Sequence, residues 1–117
     1  MPWLNGHDKV LVWLHGEIKT PPFSAEARGA GGFLLRLVQR GTLLTMPDSR
    51  AMPSIGPRCH ELRVQDAQQR VTWRVIYRID NDAIVIGEVF EKKTQQTPKH
   101  VIDACKRRFQ KYDQTVK

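Results

Sequence analysis

The alternation of apolar and polar residues along the chain predicts four strands. A short apolar run at residues 9–14 is rich in β-forming side chains and too brief for a helix, so we predict a first strand there. Residues 60–64, 71–79 and 83–90 alternate with a period of two, and a DND turn joins the last two segments. These three segments therefore predict an antiparallel meander.

Two helices are predicted on either side of the meander in the sequence. Ser24 is suited to an N-cap of the first helix and Gly41 to its C-terminal cap. The second helix is expected to follow Thr97 as N-cap and Pro98 as first helical residue, and to end near Tyr112. The residues expected to face the core are Ala27, Ala30, Leu34, Leu37 and Val38 in the first helix and Val101, Ile102, Cys105, Phe109 and Tyr112 in the second.

The remaining segments complete the expected architecture. Residues 45–59 contain three prolines and a glycine, which predicts a loop without regular structure over most of its length. Gly29, Gly31 and Gly32 weaken the first helix. A chain of 117 residues supports one core, so we expect residues 1–117 to form a single α+β domain. Its small twisted antiparallel sheet would comprise the meander and the N-terminal strand, packed with one N-terminal and one C-terminal helix.

The charge of the chain favours a polyanionic partner. Nineteen Lys and Arg residues against twelve Asp and Glu residues give a net charge of +7. Residues 92–117 hold much of this excess, with eight basic residues against Asp103 and Asp113. Cys59 and Cys105 form no metal-binding motif, so we expect reduced thiols and neither metal nor cofactor. The sequence shows no apolar stretch long enough to span a membrane and no secretory signal, which predicts a soluble, cytoplasmic protein.

Strand alternation places several cations on one side of the predicted sheet. Arg63 and Arg74 fall on the same face of neighbouring strands, and Lys92 and Lys93 follow directly on the last strand. These four side chains can converge on a site the size of a phosphate group. An ordinary solvated face with scattered cations would give the same pattern. The nearby acids Glu61, Glu88 and Glu91 are interpreted as ion-pair partners that orient the arginines.

The segments HELRV, WRVIYRID and IVIGEVFEKKTQQTPK, within residues 60–99, resemble the HigB-like members of the RelE/ParE superfamily of bacterial toxins. That pattern has one strand ending in ELR, a second with R-V-x-Y, and a third running into F-x-K-K-T, followed by T-P and a helix. The earlier segments LHGEIKTPPFS and LLRLVQRG resemble one sub-branch of the group, of phage-derived HigB/Tad type. The resemblance thus extends over nearly the whole chain and implies a RelE-like fold.

The resemblance also implies a function and a set of site residues. HigB-like proteins are toxins of type II toxin–antitoxin systems that inhibit translation by cleaving mRNA, usually on the ribosome and without a metal. The implied partners are mRNA, the ribosome and an antitoxin, expected to be a small helix-turn-helix protein. The implied catalytic residues are Arg74, Lys93, Lys92 and Arg63, with His60 and Tyr77 as weaker candidates. The basic residues expected to contact RNA are Lys99, Lys106, Arg107, Arg108, Lys111 and Arg78.

Two other functions fit the same residues. A ParE-like inhibitor of DNA gyrase would share the arginine- and tyrosine-bearing strand but would act by binding, without catalysis. A non-enzymatic RNA- or ribosome-binding module would use the same basic surface. The lysine pair after the last strand favours the nuclease over the gyrase inhibitor.

Overall fold

A computed structural model describes residues 8–14, 23–91 and 96–116 of the chain. Its elements, in chain order, are β1 Val10–Trp13, α1 Ala25–Gln39, β2 Ser49–Ala51, β3 Cys59–Asp66, β4 Val71–Ile79, β5 Ala83–Glu91 and α2 Lys99–Thr115. The predicted α+β class is confirmed, and so are the three strands of the meander. Neither helix of this part of the chain is long and apolar enough to cross a membrane.

The strands form one five-stranded sheet in the order β1-β5-β4-β3-β2. The strands β2 to β5 pair antiparallel in sequence order, whereas β1 pairs parallel with β5. The sheet is therefore mixed rather than wholly antiparallel as predicted, because the N-terminal strand runs parallel to β5, and it contains one strand more than the sequence pattern predicted.

Both faces of the sheet are covered. Trp73, Val75 and Tyr77 of β4 pack in the core that includes α1 residues, and we call this side the α1 face. The alternate residue Ile76 packs in the core that includes α2 residues, on what we call the α2 face. The predicted alternation of β4 is confirmed, but Arg74, on the α2 face, is buried rather than solvated.

The ends of α1 follow from local sequence. The Ser24 hydroxyl accepts a hydrogen bond from the backbone N–H of Ala27 at 3.1 Å, so the predicted N-cap is confirmed. Gly41 adopts a φ of 97°, and its N–H donates to the Val38 carbonyl at 3.0 Å. A residue without Cβ adopts this left-handed conformation at low cost, which explains why the helix ends there.

The buried stripe of α1 differs from the predicted one. Ala30 is exposed, and Leu34 and Leu37 are half-buried. A Cβ built on Gly31 would lie 3.4 Å from a methyl group of Val64, so the helix backbone packs directly against β3 at this point. The buried residues are Ala27, Gly31, Leu35 and Val38.

The N-terminus of α2 also differs from the prediction. Pro98 occupies the N-cap position, and no side chain caps the helix there. Thr97, predicted as the N-cap, instead donates its hydroxyl to the carboxylate of Glu61 at 2.6 Å. The predicted apolar stripe is confirmed, since Val101, Cys105 and Phe109 are buried and Ile102 and Tyr112 pack against the same core.

The segment predicted as a loop at residues 45–59 contains the strand β2. Arg50 of β2 lies opposite Glu61 of β3, and the residues that follow β2 include Met52 and Ile55, which are buried in the core of the α2 face. A strand of three residues is too short to show an alternating pattern. The prolines on either side of it are typical of a loop.

Gly87 is the point of closest approach between β5 and α2. A Cβ at this position would lie 2.9 Å from Cζ of Phe109 and 3.1 Å from Sγ of Cys105. We expect Gly87→Ala to lower the free energy of unfolding by about 1–3 kcal/mol through overpacking. The matched control is Gly29→Ala on the exposed side of α1, where no atom lies within 4 Å. Urea denaturation should show that this control raises stability by about 0.5–1 kcal/mol; equal effects of the two changes would contradict the packing described.

A buried carboxylate joins three elements at the start of α1. The Asp66 side chain accepts hydrogen bonds from the backbone N–H of Ser24 at 2.9 Å, the Trp73 indole at 3.0 Å and the Gln69 amide at 2.8 Å. Burial tends to raise the pKa of Asp66, but these hydrogen bonds hold that pKa well below its ordinary value.

Because the pKa of Asp66 is lower in the folded than in the unfolded chain, its contribution to stability is complete above the ordinary aspartate pKa of about 4. This contribution decreases as the pH falls further. We therefore expect Asp66→Asn to lower the melting temperature at pH 7, and the difference from wild type to shrink between pH 4 and pH 2. Asp82→Asn, in the exposed turn before β5, is the control. A difference that stays constant over this pH range would contradict the assigned role of the carboxylate.

Candidate functional site

Three arginines and one carboxylate lie together on the α2 face, near the edge of the sheet formed by β2. Arg50 lies on β2, Glu61 and Arg63 on β3, and Arg74 on β4, where it pairs with Arg63 across the strands. We call these four residues the arginine cluster. Their positions follow from strand register, because Arg50 faces Glu61 and alternation brings Glu61, Arg63 and Arg74 to the same side.

Glu61 is the anchor of the arginine cluster. Its side chain is fully buried and accepts hydrogen bonds from Nε of Arg50 at 3.1 Å and from the Thr97 hydroxyl at 2.6 Å. Nη1 of Arg74 lies 3.8 Å from the same Glu61 oxygen that Arg50 contacts. The prediction that Glu61 orients the arginines is confirmed. Glu61 thus contacts the guanidinium groups of Arg50 and Arg74, and the three arginines of the cluster outnumber its one carboxylate, which leaves an excess of positive charge.

Arg74 is a buried cation whose hydrogen-bonding capacity is largely unused. The residue is 6% exposed, and its Nε and Nη1 atoms are buried without a hydrogen-bond partner among the residues that the structure describes. The same holds for Nε of Arg63. Buried polar atoms are normally paired, because leaving one unpaired costs free energy. Unpaired donors on two adjacent cations are an arrangement suited to an anion with several oxygen atoms.

The electrostatic environment of Arg74 also disfavours the charged form of its side chain. Burial lowers the pKa of Arg74, and the nearby cations Arg63 and Arg50 lower it further, whereas Glu61 opposes the shift. An anion bound here would compensate both the burial and the repulsion. Phosphate oxygens in RNA match the planar donor geometry of guanidinium groups.

The predicted catalytic residues Lys92 and Lys93 lie outside the described residues. They follow directly on Glu91, the last residue of β5, and the preceding Phe90 pairs with Arg74 across the sheet. Their part in the site stays a prediction.

His60 and Tyr77, the weaker catalytic candidates, lie on the α1 face. Their rings stack with centroids 5.3 Å apart, and the Tyr77 hydroxyl shares a hydrogen bond of 2.7 Å with Ser49. Burial lowers the pKa of His60 and raises the pKa of Tyr77. The sheet therefore separates these two side chains from the arginine cluster, to which Arg74 and Arg63 belong.

Arg78 is held in an ion-pair network at the opposite end of β4. Its guanidinium donates to Asp80 at 2.7 Å and to Asp113 at 2.6 Å, and it lies over the Phe109 ring at 5.0 Å. The hydrogen bond to Asp80 is the main reason that the pKa of Arg78 is raised. These contacts already satisfy the cation, so we do not include Arg78 among the phosphate contacts proposed below.

The other basic residues predicted to contact RNA lie on α2. Lys99, Lys106, Arg107 and Lys111 are exposed, and Lys99 forms an ion pair with Asp103 at 2.8 Å. Arg108 is half-buried; it donates to the Gly87 carbonyl at 2.6 Å and forms an ion pair with Glu88 at 3.2 Å. Glu88 is thus an ion-pair partner of a helix arginine rather than of the arginine cluster.

Two residues of the site, Arg50 and Thr97, were absent from the sequence-based set. Nη2 of Arg50 donates to the Thr97 hydroxyl at 3.3 Å, and both side chains contact Glu61. The sequence pattern gives no place on the sheet to Arg50, because it predicts a loop where β2 lies. Thr97 was interpreted as a helix cap, and no sequence signal distinguishes a capping threonine from one that binds a buried carboxylate.

The two cysteines have no chemical role at this site. Both are buried free thiols, and burial raises the pKa of Cys59 to about 11 and that of Cys105 to about 12. They are therefore protonated and poor nucleophiles at neutral pH. Within the described residues, no three His, Cys, Asp or Glu side chains form a group that could hold a metal ion.

The fold and the arginine cluster define a class of small, basic α+β protein with a partly buried group of arginines on one face of its sheet. Residues 21–110 match the family model described as "Phage derived protein Gp49-like (DUF891)". The match spans most of the chain, so the protein belongs to this family, which is a RelE/toxin-like family. No curated protein matches the chain significantly.

Proposed function

We propose that this protein is the toxin of a type II toxin–antitoxin pair, and that it is a HigB-like, metal-independent endoribonuclease that inhibits translation by cleaving mRNA on the ribosome. The observation that carries the proposal is the buried Arg74, whose unpaired donors adjoin Arg63 in a cluster with excess positive charge. Membership in a RelE/toxin-like family and the basic surface of α2 support it.

The proposed reaction is attack by a ribose 2′-hydroxyl on the adjacent phosphate. The 2′-oxygen forms a bond to phosphorus while the bond to the 5′-oxygen breaks, giving a 2′,3′-cyclic phosphate and a 5′-hydroxyl. A general base takes the proton of the 2′-hydroxyl, and a general acid supplies one to the leaving oxygen. Arg74 and Arg63 would donate to the phosphate oxygens, where negative charge increases in the transition state.

The proton transfers are assigned, in this proposal, to Lys92 and Lys93. These lysines follow β5 in the sequence at the end where Arg74 pairs with Phe90. A lysine close to several cations has a lowered pKa, which suits it to accept or donate a proton near neutral pH. His60 receives no role in the proposal, since it lies on the other face of the sheet.

The proposed partners are mRNA, the ribosome and a small helix-turn-helix antitoxin. The exposed cations of α2 would contact RNA phosphates, and they would also attract an acidic partner segment. These cations are Lys99, Lys106, Arg107 and Lys111, together with the half-buried Arg108.

The proposal is tested by inducing the protein in bacteria and mapping mRNA ends by primer extension. We expect growth to stop, protein synthesis to fall, and new 5′ ends to appear within the coding region of a reporter mRNA. Co-expression of the neighbouring gene, if it encodes the antitoxin, should restore growth. Growth arrest with intact mRNA and double-strand breaks in DNA would contradict the nuclease and support the gyrase inhibitor.

A further inference from the structure

A pocket adjoins the arginine cluster on the α2 face, between β2 with its following loop and the start of α2. Its volume is about 300 Å³, and it is lined by Arg50, Met52, Ser54, Gln96, Thr97 and Ile102. Arg50 and Thr97 belong both to this pocket and to the hydrogen bonds around Glu61. The pocket and the arginine cluster therefore share Arg50, and Thr97 of the pocket contacts Glu61 of the cluster.

The pocket combines apolar walls with polar groups at its rim. Met52 is buried and Ile102 is half-buried, and both pack with the core of the α2 face. Ser54 and Gln96 are exposed. A hydroxyl and an amide can each donate and accept hydrogen bonds, as the edge of a nucleobase requires, and a methionine sulfur packs favourably against an aromatic ring.

The Arg50 guanidinium forms a fixed wall of the pocket. Its Nε donates to Glu61 at 3.1 Å and its Nη2 to Thr97 at 3.3 Å, so its plane is held by two contacts. The side chain is nevertheless 36% exposed. An exposed, oriented guanidinium plane is a surface on which an unstacked RNA base can stack.

The arginine cluster determines what kind of ligand this pocket can hold. Arg50 and Arg74 contact the same oxygen of Glu61, so the pocket wall and the buried cation are neighbours. Arg74, more than nine-tenths buried, keeps two donor atoms unpaired among the described residues. A ligand that fills both regions carries an anion beside an aromatic, hydrogen-bonding ring, and a nucleotide has this combination.

We propose that the pocket is a nucleobase subsite, which holds the base of a nucleotide whose phosphate, or the phosphate next to it, lies at Arg74 and Arg63. The inference rests on the proposed RNA-cleaving function, because it names the part of the substrate that determines where the chain is cleaved. Bases with different hydrogen-bonding edges would differ in affinity through Ser54 and Gln96.

The test compares binding of four 2′-deoxynucleoside 3′-monophosphates with that of deoxyribose phosphate and inorganic phosphate. Without a 2′-hydroxyl these nucleotides are not cleaved, so the measurement is independent of catalysis. We expect at least one nucleotide to bind about tenfold more tightly than deoxyribose phosphate, as stacking of one base would give. In NMR titrations, the backbone signals of residues 52–54 and 96–102 should shift with the nucleotide and not with inorganic phosphate.

The variant Ser54→Ala/Gln96→Ala should bring the dissociation constants of the four nucleotides closer to one another and change the bases found at cleavage sites. The matched control is Ser49→Ala, on the α1 face. Equal binding of nucleotides and deoxyribose phosphate by the wild-type protein would overturn the subsite. Nucleotide binding in this pocket by a protein that leaves mRNA intact would support the subsite and contradict the nuclease.

Discussion

Replacing Arg74 by methionine is expected to slow RNA cleavage by about 10² to 10³ and to leave the protein at least as stable as the wild type. The rate falls because a donor to the transition-state phosphate is lost. Stability is kept because a buried cation with two unpaired nitrogen atoms, close to Arg63 and Arg50, is replaced by an apolar side chain of similar length. Glu61 retains its hydrogen bonds from Arg50 and Thr97.

The two effects are measured by single-turnover cleavage and by thermal unfolding. Arg40→Met is the matched control, since it removes the same charge from an exposed position at the end of α1. We expect this control to cleave RNA nearly as fast as the wild type. Loss of activity together with a large loss of stability would mean that Arg74 has a structural role, and unchanged cleavage would exclude it from the site.

Replacing Glu61 by glutamine is expected to lower the free energy of unfolding by about 3–5 kcal/mol, as removing one partner of a buried ion pair usually does. The fully buried carboxylate is the only acidic member of the arginine cluster. Its removal takes from Arg50 and Arg74 the negative charge with which both form ion pairs. The change in stability is measured by urea denaturation at neutral pH.

Glu88→Gln is the control for this prediction. Glu88 pairs with Arg108 at 3.2 Å, and both side chains are partly exposed, so its loss should cost about 1 kcal/mol or less. The double variant Glu61→Gln/Arg74→Met should recover part of the stability lost in Glu61→Gln, because the buried charge left unpaired is then removed. Strictly additive effects of the two changes would contradict their coupling through the cluster.

The sequence predicted those parts of the fold that have a strong periodic pattern. The bounds of β4 are those predicted, and β3, β5 and α2 extend the predicted segments by a few residues at most. In these elements the apolar alternation or stripe is long enough to set both the type of element and the side that is buried. The caps at Ser24 and Gly41 were predicted because each has a local cause.

Features that depend on tertiary contacts were not predictable in this way. The strand β2 is short and exists because it pairs with β3, so its sequence carries no pattern of its own. The buried stripe of α1 includes Gly31, whereas apolar periodicity counts only large side chains, so the sequence pattern places the stripe on other residues. The parallel pairing of β1 with β5 likewise has no local signal.

The candidate site likewise combines residues that a sequence pattern predicts with residues that only tertiary contacts bring in. Arg63 and Arg74 were placed on one face by simple alternation, and the structure brings them together beside Glu61. The burial of that face was missed, because charged residues in a strand normally indicate solvent. Arg50 and Thr97 join the site only through contacts between distant elements.

In the proposed reaction, the arginine cluster promotes RNA cleavage by transfer of a phosphate from the 5′-oxygen to the 2′-oxygen. Its most direct test is end-group analysis of an mRNA incubated with ribosomes and the purified protein, wild type or Arg74→Met. We expect fragments with a 5′-hydroxyl and a 2′,3′-cyclic phosphate from the wild-type protein, formed about 10² to 10³ times more slowly by the variant. Intact mRNA, fragments with a 5′-phosphate, or equal rates for the two proteins would contradict it.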